Sequence, residues 1–196
     1  AIDEENVISV SIDNKEAAKR QMTEALKRGH RKIAVISLPG AAYLSDNDSP
    51  AVAPGVASAR NRGYQEAVEE FGINTPFKTY PVLATKEGGE EAVKRILSDG
   101  MPTCIITMSD IQALGAIEYL EGQGIRVPED VSVMGFDGIY HTVMGKNLCS
   151  IDQRGQEKGK KAAEMLFEIL KGNEPENKIS LIPFTFEEGE TLKDIS

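Results

Sequence analysis

Between Lys15 and Arg28, apolar side chains return at Ala18, Met22, Ala25 and Leu26, the 3.6-residue period of an amphipathic helix, with Asn14 placed to cap its start. Gly29 ends the pattern. Lys27 and Arg28 suit the negative end of the helix dipole, and Arg31-Lys32 leads into the unbroken apolar run Ile33 to Leu38, a strand of the kind buried on both faces. The same unit recurs three times. Arg60 to Phe71 carries Tyr64, Ala67, Val68 and Phe71 on one face, stops at Gly72 and precedes a weaker strand over Phe77 to Val82. Glu87 to Asp99 carries Ala92, Val93, Ile96 and Leu97, stops at Gly100 and precedes Cys104 to Met108; Ser109 to Glu121 carries Ala113, Ile117 and Leu120, stops at Gly122 and Gly124 and precedes Val131 to Phe136. Helices alternating with buried strands predict right-handed crossovers and an α/β fold, a parallel sheet flanked by helices on both faces.

Past Phe136 the rhythm changes. A loop to Asn147 and an extended piece over Leu148 to Gln153 precede a helix to Lys171, with Ala162, Met165, Leu166 and Ile169 on one face; Ile179 to Phe186 reads as a closing strand. The stretch Pro39 to Ala59, rich in Ala, Asp, Pro and Ser, is a loop of a length that usually serves a function or stays disordered.

Charge narrows the function. The 196 residues hold 22 basic and 31 acidic side chains, a net charge of −9, so this segment lacks the basic face that nucleic acid or an anionic membrane would require. Its apolar runs are strand-sized, far short of a bilayer span. Cys104 and Cys149 stand far apart without a CxxC, as expected of a reduced cytoplasmic protein without a structural disulfide, and His30 and His141 are too few and too scattered for a transition-metal site. The first residues, Ala1 to Glu5, carry neither Met nor a basic-then-apolar leader, leaving a removed leader or a start inside a longer protein as the two readings.

In an open parallel sheet, ligands bind beyond the carboxyl ends of the strands. Arg60, Ser109-Asp110 and Asp137 fall at or just after such ends. Carboxylates that accept paired hydroxyls and a guanidinium that donates a rigid fork suit a polyhydroxylated small molecule. Each also has a plainer reading: Ser109-Asp110 and Asp13-Asn14 as helix caps, Asp137 as a turn residue, Arg60 as a solvated first-turn residue. His30 reads as a helix-terminus residue, and Gly155 to Lys161, lacking a P-loop pattern, as the solvated start of a helix. There is no GxSxG elbow, no GxGxxG after a strand and no paired Cys and His, which favours binding without turnover; neither a metal nor a cofactor is expected.

In order along the chain, these pieces resemble the effector-binding domain of the lactose-repressor and galactose-repressor family of bacterial transcription regulators, whose fold is periplasmic-binding-protein-like. The resemblance rests on Val10 to Asn14, Gly29 to Ala34, Arg60 to Tyr64, Pro102 to Ile106, Ser109 to Ala116 and above all Val127-Pro128-Glu129-Asp130-Val131-Ser132-Val133-Met134-Gly135-Phe136-Asp137. Leu148 to Gln153 resembles the family's crossover segment, Leu-Thr-Thr-Ile-x-Gln. The family likeness implies an effector cleft lined by Asp13, Asn14, Arg60, Ser109, Asp110, Asp137 and Gln153. It implies a sugar or nucleoside effector, a homodimer formed through the helix from Asp110 and the loop from Tyr140 to Asn147, and operator DNA bound only by an absent helix-turn-helix domain. By the family's topology, residues 14–150 and 179–196 form mainly the C-terminal subdomain, whereas 1–13 and 151–178 belong to an N-terminal subdomain not included here. The apolar stripe of the helix after Gly155 would then lack its sheet, and is expected to pack on a second copy, to be exchanged between copies or to be disordered. Three departures stand out: Gly138 where Asp or Asn is common, a longer loop before Arg60, and Phe186-Glu187-Glu188-Gly189 without the usual Arg. A periplasmic-type solute-binding protein of the same architecture is the alternative, which an upstream signal peptide would reveal; a small-molecule enzyme such as a sugar isomerase is a third.

Overall fold

The repeated helix, glycine, strand unit is realised in full. A computed structural model describes residues 8–39, 55–73, 77–173 and 177–196. Its elements are β1 (Ser9–Ser11), α1 (Asn14–Lys27), β2 (Ile33–Ser37), α2 (Val56–Glu70), β3 (Lys78–Pro81), α3 (Lys86–Asp99), β4 (Cys104–Thr107), α4 (Asp110–Gly122), β5 (Ser132–Asp137), β6 (Thr142–Val143), β7 (Lys146–Asn147), β8 (Cys149–Asp152), α5 (Gly155–Leu170), β9 (Ile179–Leu181) and β10 (Thr185–Glu187). Six strands form the main sheet in the order β10-β8-β5-β4-β2-β3, parallel except where β10 runs against β8. Most of the loop expected from Pro39 to Ala59 lies outside the described residues; its end is already helix, since α2 starts at Val56.

Strand alternation divides the core into two layers. Val35, Ile106, Met134 and Phe136 turn to one face, where α1 and α2 contribute Met22, Leu26 and Tyr64. Ala34, Ile36, Ile105 and Val133 turn to the other and meet Val93, Ile96, Ile117 and Leu120 of α3 and α4. On that second face the helices touch backbone to backbone. A Cβ on Gly115 of α4 would stand 1.9 Å from the Lys86 carbonyl oxygen of α3, so only glycine allows the approach. Cys104 and Cys149 are buried and unbonded.

The single closing strand expected over Ile179 to Phe186 is two strands in two sheets. β9 pairs in parallel with β1, Ser9 opposite Ile179, whereas β10 pairs with β8, Phe186 opposite Ile151. Pro183 stands between them and has no N–H to donate, so neither ladder can run through it. α5 packs against β1. The helix is well formed, yet of its apolar stripe only Met165 is buried; Leu166 is 58% exposed, and Ala162, Leu166 and Ile169 line a groove with Ile8 and Val10. Leu170 on the helix is 76% exposed, and Ile179 and Leu181, register partners of Ser9 and Ser11, are exposed on the other side of the β1–β9 ribbon from Val10.

Gly115→Ala is expected to destabilise the fold by about 2 kcal/mol, because two helices must part to admit one methyl group. Gly122→Ala, with open space around its Cβ position, is expected to be neutral. Urea denaturation midpoints of the two variants provide the check.

Candidate functional site

At the carboxyl edge of the main sheet the amino ends of α1, α2, α4 and α5 come together, because each lies at the same end as the strand carboxyl termini. Arg60 sits in the second turn of α2, one turn deeper than the sequence suggests, and is only 4% exposed. Its Nε donates to Asn14 Oδ1 at 3.0 Å and its Nη1 donates to the Met108 carbonyl, while the guanidinium lies over the Phe136 ring, 3.5 Å from Cζ to the centroid. Stacking and two neutral acceptors hold the charge in place, without a salt bridge among the described residues. Burial lowers the Arg60 pKa from its ordinary value, opposed by the nearby Tyr64 and Asp137.

Asp137 ends β5 with φ 142°, a backbone conformation that L-residues rarely adopt. Its carboxylate accepts from the Asp110 backbone N–H (3.3 Å, Oδ2) and from Gln153 Nε2 (2.5 Å, Oδ1). The Asp137 carbonyl accepts from the Gln153 N–H at 3.2 Å, so two strand ends are locked together. Burial pushes the Asp137 pKa up to about 6 against the pull of Arg60; the neighbouring Asp110 charge adds to the rise. Gln153 Oε1 in turn accepts from Lys158 Nζ at 2.8 Å. A continuous line of donors and acceptors thus runs from α5 through β8 and β5 to the start of α4. Next to it opens a depression of about 720 Å³ lined by Asp137, Gly138, Asp152, Gln153, Arg154 and Lys158 among others.

Asn14, Arg60, Asp137 and Gln153 are therefore brought together. The remaining sequence-selected residues take supporting places. Asp13, rather than Asn14, caps α1, its Oδ1 accepting from the Glu16 N–H at 3.0 Å, and Asn14 is freed to hold Arg60. Ser109 caps α4 through the Gln112 N–H. Asp110 is fully buried; its carboxylate accepts from the N–H groups of Ile139 (2.7 Å) and Tyr140 (3.2 Å) and from Ser150 Oγ (2.6 Å). His30, buried as well, meets the Lys193 carbonyl with Nε2 at 3.0 Å, away from the edge. Gly138 has a steric cause: a Cβ there would stand 2.6 Å from Asp152 Cα.

Sequence reasoning passed over three contributors. Phe136 is the platform for Arg60, and its place in a buried strand one residue before Asp137 was the available signal. Lys158, read as solvated, is half-buried because Gln153 draws it inward. Gln21 lies beneath the site on the apolar face of α1, donating to the Gly135 (2.6 Å) and Thr107 (3.2 Å) carbonyls and accepting from Tyr64 Oη at 2.7 Å. A polar residue at a core-facing helical position was its signature.

A buried carboxylate with a raised pKa costs stability wherever it is ionised. Between its unfolded value of 3.8 and about 6, the native Asp137 keeps a proton that the unfolded chain has lost. Stability therefore falls as pH rises through that window and stays lowered above it. Asp137→Asn is expected to raise stability by about 1–2 kcal/mol at pH 7.5, with the gain gone at pH 3.5. Denaturant curves at the two pH values check this; an equal change at both would assign the effect to hydrogen bonding alone.

Residues 22–192 match the periplasmic binding protein-like domain family. The transcriptional repressor CytR of Escherichia coli (strain K12) is 31% identical over 167 residues, which cover 84% of this chain and 46% of that protein. The chain spans about half the length of such curated relatives. A solved LacI-type transcription regulator from Bifidobacterium animalis subsp. lactis superposes with a TM-score of 0.83 at 30% identity, covering 94% of this chain and 67% of that one. A LacI-family regulator from Enterococcus faecium with bound ribose shares the fold, with a TM-score of 0.80 at 23% identity over 95% of this chain and 66% of its own. This chain thus belongs to the periplasmic binding protein-like domain family, in the form that LacI-type transcription regulators carry.

Proposed function

We propose that the chain is the ligand-sensing part of a bacterial DNA-binding transcription regulator, and that a small sugar-like or nucleoside-like effector binds at the carboxyl edge of the main sheet. The observation that carries this reading is the pair Asp137 and Gln153, a fixed set of donors and acceptors lining an open depression, with the charge of Arg60, held by Asn14, acting on Asp137 from behind. Such a set suits ring oxygens and vicinal hydroxyls. The ribose bound by the Enterococcus faecium regulator belongs to this ligand class.

The effector would be enclosed between two subdomains. Residues 14–150 and the end of the chain form one; β1, α5 and β9 belong with the other. The pairing of β9 with β1 favours a boundary at Pro183 rather than at 179, and the open face of α5 supports the division, since wet side chains such as Leu166 and Leu170, 58% and 76% exposed, forfeit on the order of 1.5–3 kcal/mol each. Unequal affinity of the effector for two arrangements of the subdomains would bias DNA binding by a separate headpiece. A symmetric dimer fits the same scheme. Ile117 faces the sheet, but Ile111, Leu114 and Tyr119 are only partly covered, and Ile139 and Met144 beside them are 67% and 61% exposed.

Thermal-shift screening of the full-length protein against sugars, phosphosugars and nucleosides tests the reading: a polyol should stabilise it, and a panel without effect would defeat it. For whichever ligand binds, Arg60→Ala and Asp137→Ala are each expected to weaken affinity by about 2–4 kcal/mol, the penalty of leaving buried polar partners unmatched. Unchanged affinity by calorimetry would remove these residues from the site. Sedimentation at micromolar concentration should give a dimer for the full-length protein and a shift towards monomer for Leu114→Asp.

A further inference from the structure

Gln21 is the polar exception on the buried face of α1. Its neighbours there, Ala17, Ala18, Met22, Ala25 and Leu26, belong to the apolar core, and Gln21 is as deeply buried as they are. An unpaired amide in that position would be costly, and this one is used at both ends. Its Nε2 donates to the Gly135 carbonyl at 2.6 Å and to the Thr107 carbonyl at 3.2 Å, while its Oε1 accepts from Tyr64 Oη at 2.7 Å. The partners fix the orientation of the amide. Two carbonyls can only accept, so the NH2 group must face them, and burial pushes the Tyr64 pKa up, so that its hydroxyl keeps the proton it donates.

These partners share a place in the sheet. The β4–β5 ladder pairs Ile105 with Val133 and ends with Ile106 opposite Met134, whereas β5 goes on pairing with β8 as far as Asp137, so β4 and β5 part at the carboxyl edge. Thr107 and Gly135 are the first residues past the parting, one on each strand, and Gln21 spans the gap between them. Thr107 Oγ1, 3.0 Å from the Met134 carbonyl and 2.8 Å from the Ser109 carbonyl, stitches the same gap. The residues that follow seat Arg60. Met108, next after Thr107, gives its carbonyl to Nη1, and Phe136, next after Gly135, lies under the guanidinium. Tyr64 stands one turn beyond Arg60 on α2, and Asp137 follows Phe136. One amide therefore holds the chain beside the carbonyl, beside the ring and beside Arg60 itself.

An apolar side chain at this position would leave two buried carbonyls and a hydroxyl without their partner, and the parted strands could relax only by moving Met108 and Phe136. We propose that Gln21 is a positioning residue for the effector cleft: by bridging β4 and β5 and anchoring Tyr64, it holds Arg60 in its seat and fixes the end of β5 that carries Asp137 before any ligand arrives. The purpose rests on the effector reading, while the positioning is a property of the unliganded protein. Groups set in advance lose less freedom on binding, so a loosened seat weakens a ligand that Gln21 never touches.

The test uses the full-length protein with its arginines isotopically labelled for NMR. Stacked on Phe136 and bonded to Asn14, the Arg60 Nε–H should give a ring-shifted, slowly exchanging signal, assigned by its loss in Arg60→Lys. Gln21→Met, apolar and of similar length, is expected to move that signal towards the position of free arginine and to speed its exchange at least tenfold. Tyr64→Phe, which removes one hydroxyl and keeps the ring, should move it the same way by less, and decides the matter if Gln21→Met fails to fold. Leu26→Ala, on the same helix face, is the control: it lowers the urea midpoint by opening a core cavity and leaves the signal in place. A lowered midpoint for Gln21→Met with the Arg60 signal unmoved overturns the proposal and leaves Gln21 a packing residue, as does an equal displacement in Leu26→Ala. Calorimetry with D-ribose tests the purpose. Where the wild type binds ribose, a loss of at least tenfold in Gln21→Met against less than twofold in Leu26→Ala supports it, and equal losses overturn it. Absence of ribose binding in the wild type tells against ribose as the effector and not against the positioning, which the Arg60 signal decides without a ligand.

Discussion

The carboxylate of Asp110 is the fixed point of the carboxyl edge of the main sheet. Fully buried at the start of α4, it is acceptable to the interior only because three donors occupy it, the N–H groups of Ile139 and Tyr140 and the hydroxyl of Ser150. Those donors come from the turn after β5 and from β8, so one side chain joins α4 to both strand ends between which Asp137 and Gln153 meet. Gly135 makes the room, since a Cβ there would lie 2.3 Å from Asp110 Oδ1. Asp137 can be held at φ 142° because the chain on either side of it is anchored in this way. Residues that never face the cleft thus determine where its walls stand.

The site itself runs against the preferences of the fold. Asp137 has a backbone conformation that few residues accept and a carboxyl group that burial would rather keep protonated; Arg60 has its charge in the interior on a ring and neutral oxygens. Local conflicts of this kind, in a chain whose helices and strands otherwise agree with its pattern, are what the proposed effector site would require, since a functional site departs from the preferences of its fold.

What the sequence revealed follows the same line. Buried strands and amphipathic helices are periodic, so β2, β4, β5 and the helices around them were legible to within a few residues. The places of Arg60 and Asp137 were legible as well, since the alternation of strands and helices alone puts them near the carboxyl edge of the sheet. Other features depend on contacts that no period records. Whether Asp13 or Asn14 caps α1 turns on which side chain Arg60 captures. Lys158 looks like any lysine at a solvated helix start until Gln153, five residues earlier, is seen turned towards Asp137. The break at Pro183 was visible as a proline, but that the two halves join different sheets is a matter of topology.

The pairing of β1 with β9 has a consequence for how the molecule assembles. Ser9 lies opposite Ile179 in a parallel ladder, so two short strands must find each other across nearly the whole length of the chain. Closing so large a loop for three residue pairs is entropically poor until the six-stranded sheet and its helices have drawn the two ends together. The main sheet can nucleate from neighbouring helix and strand units, whereas this ribbon can form only on a scaffold already built. Among the described elements it is therefore expected to settle after the main sheet on folding and to open before it.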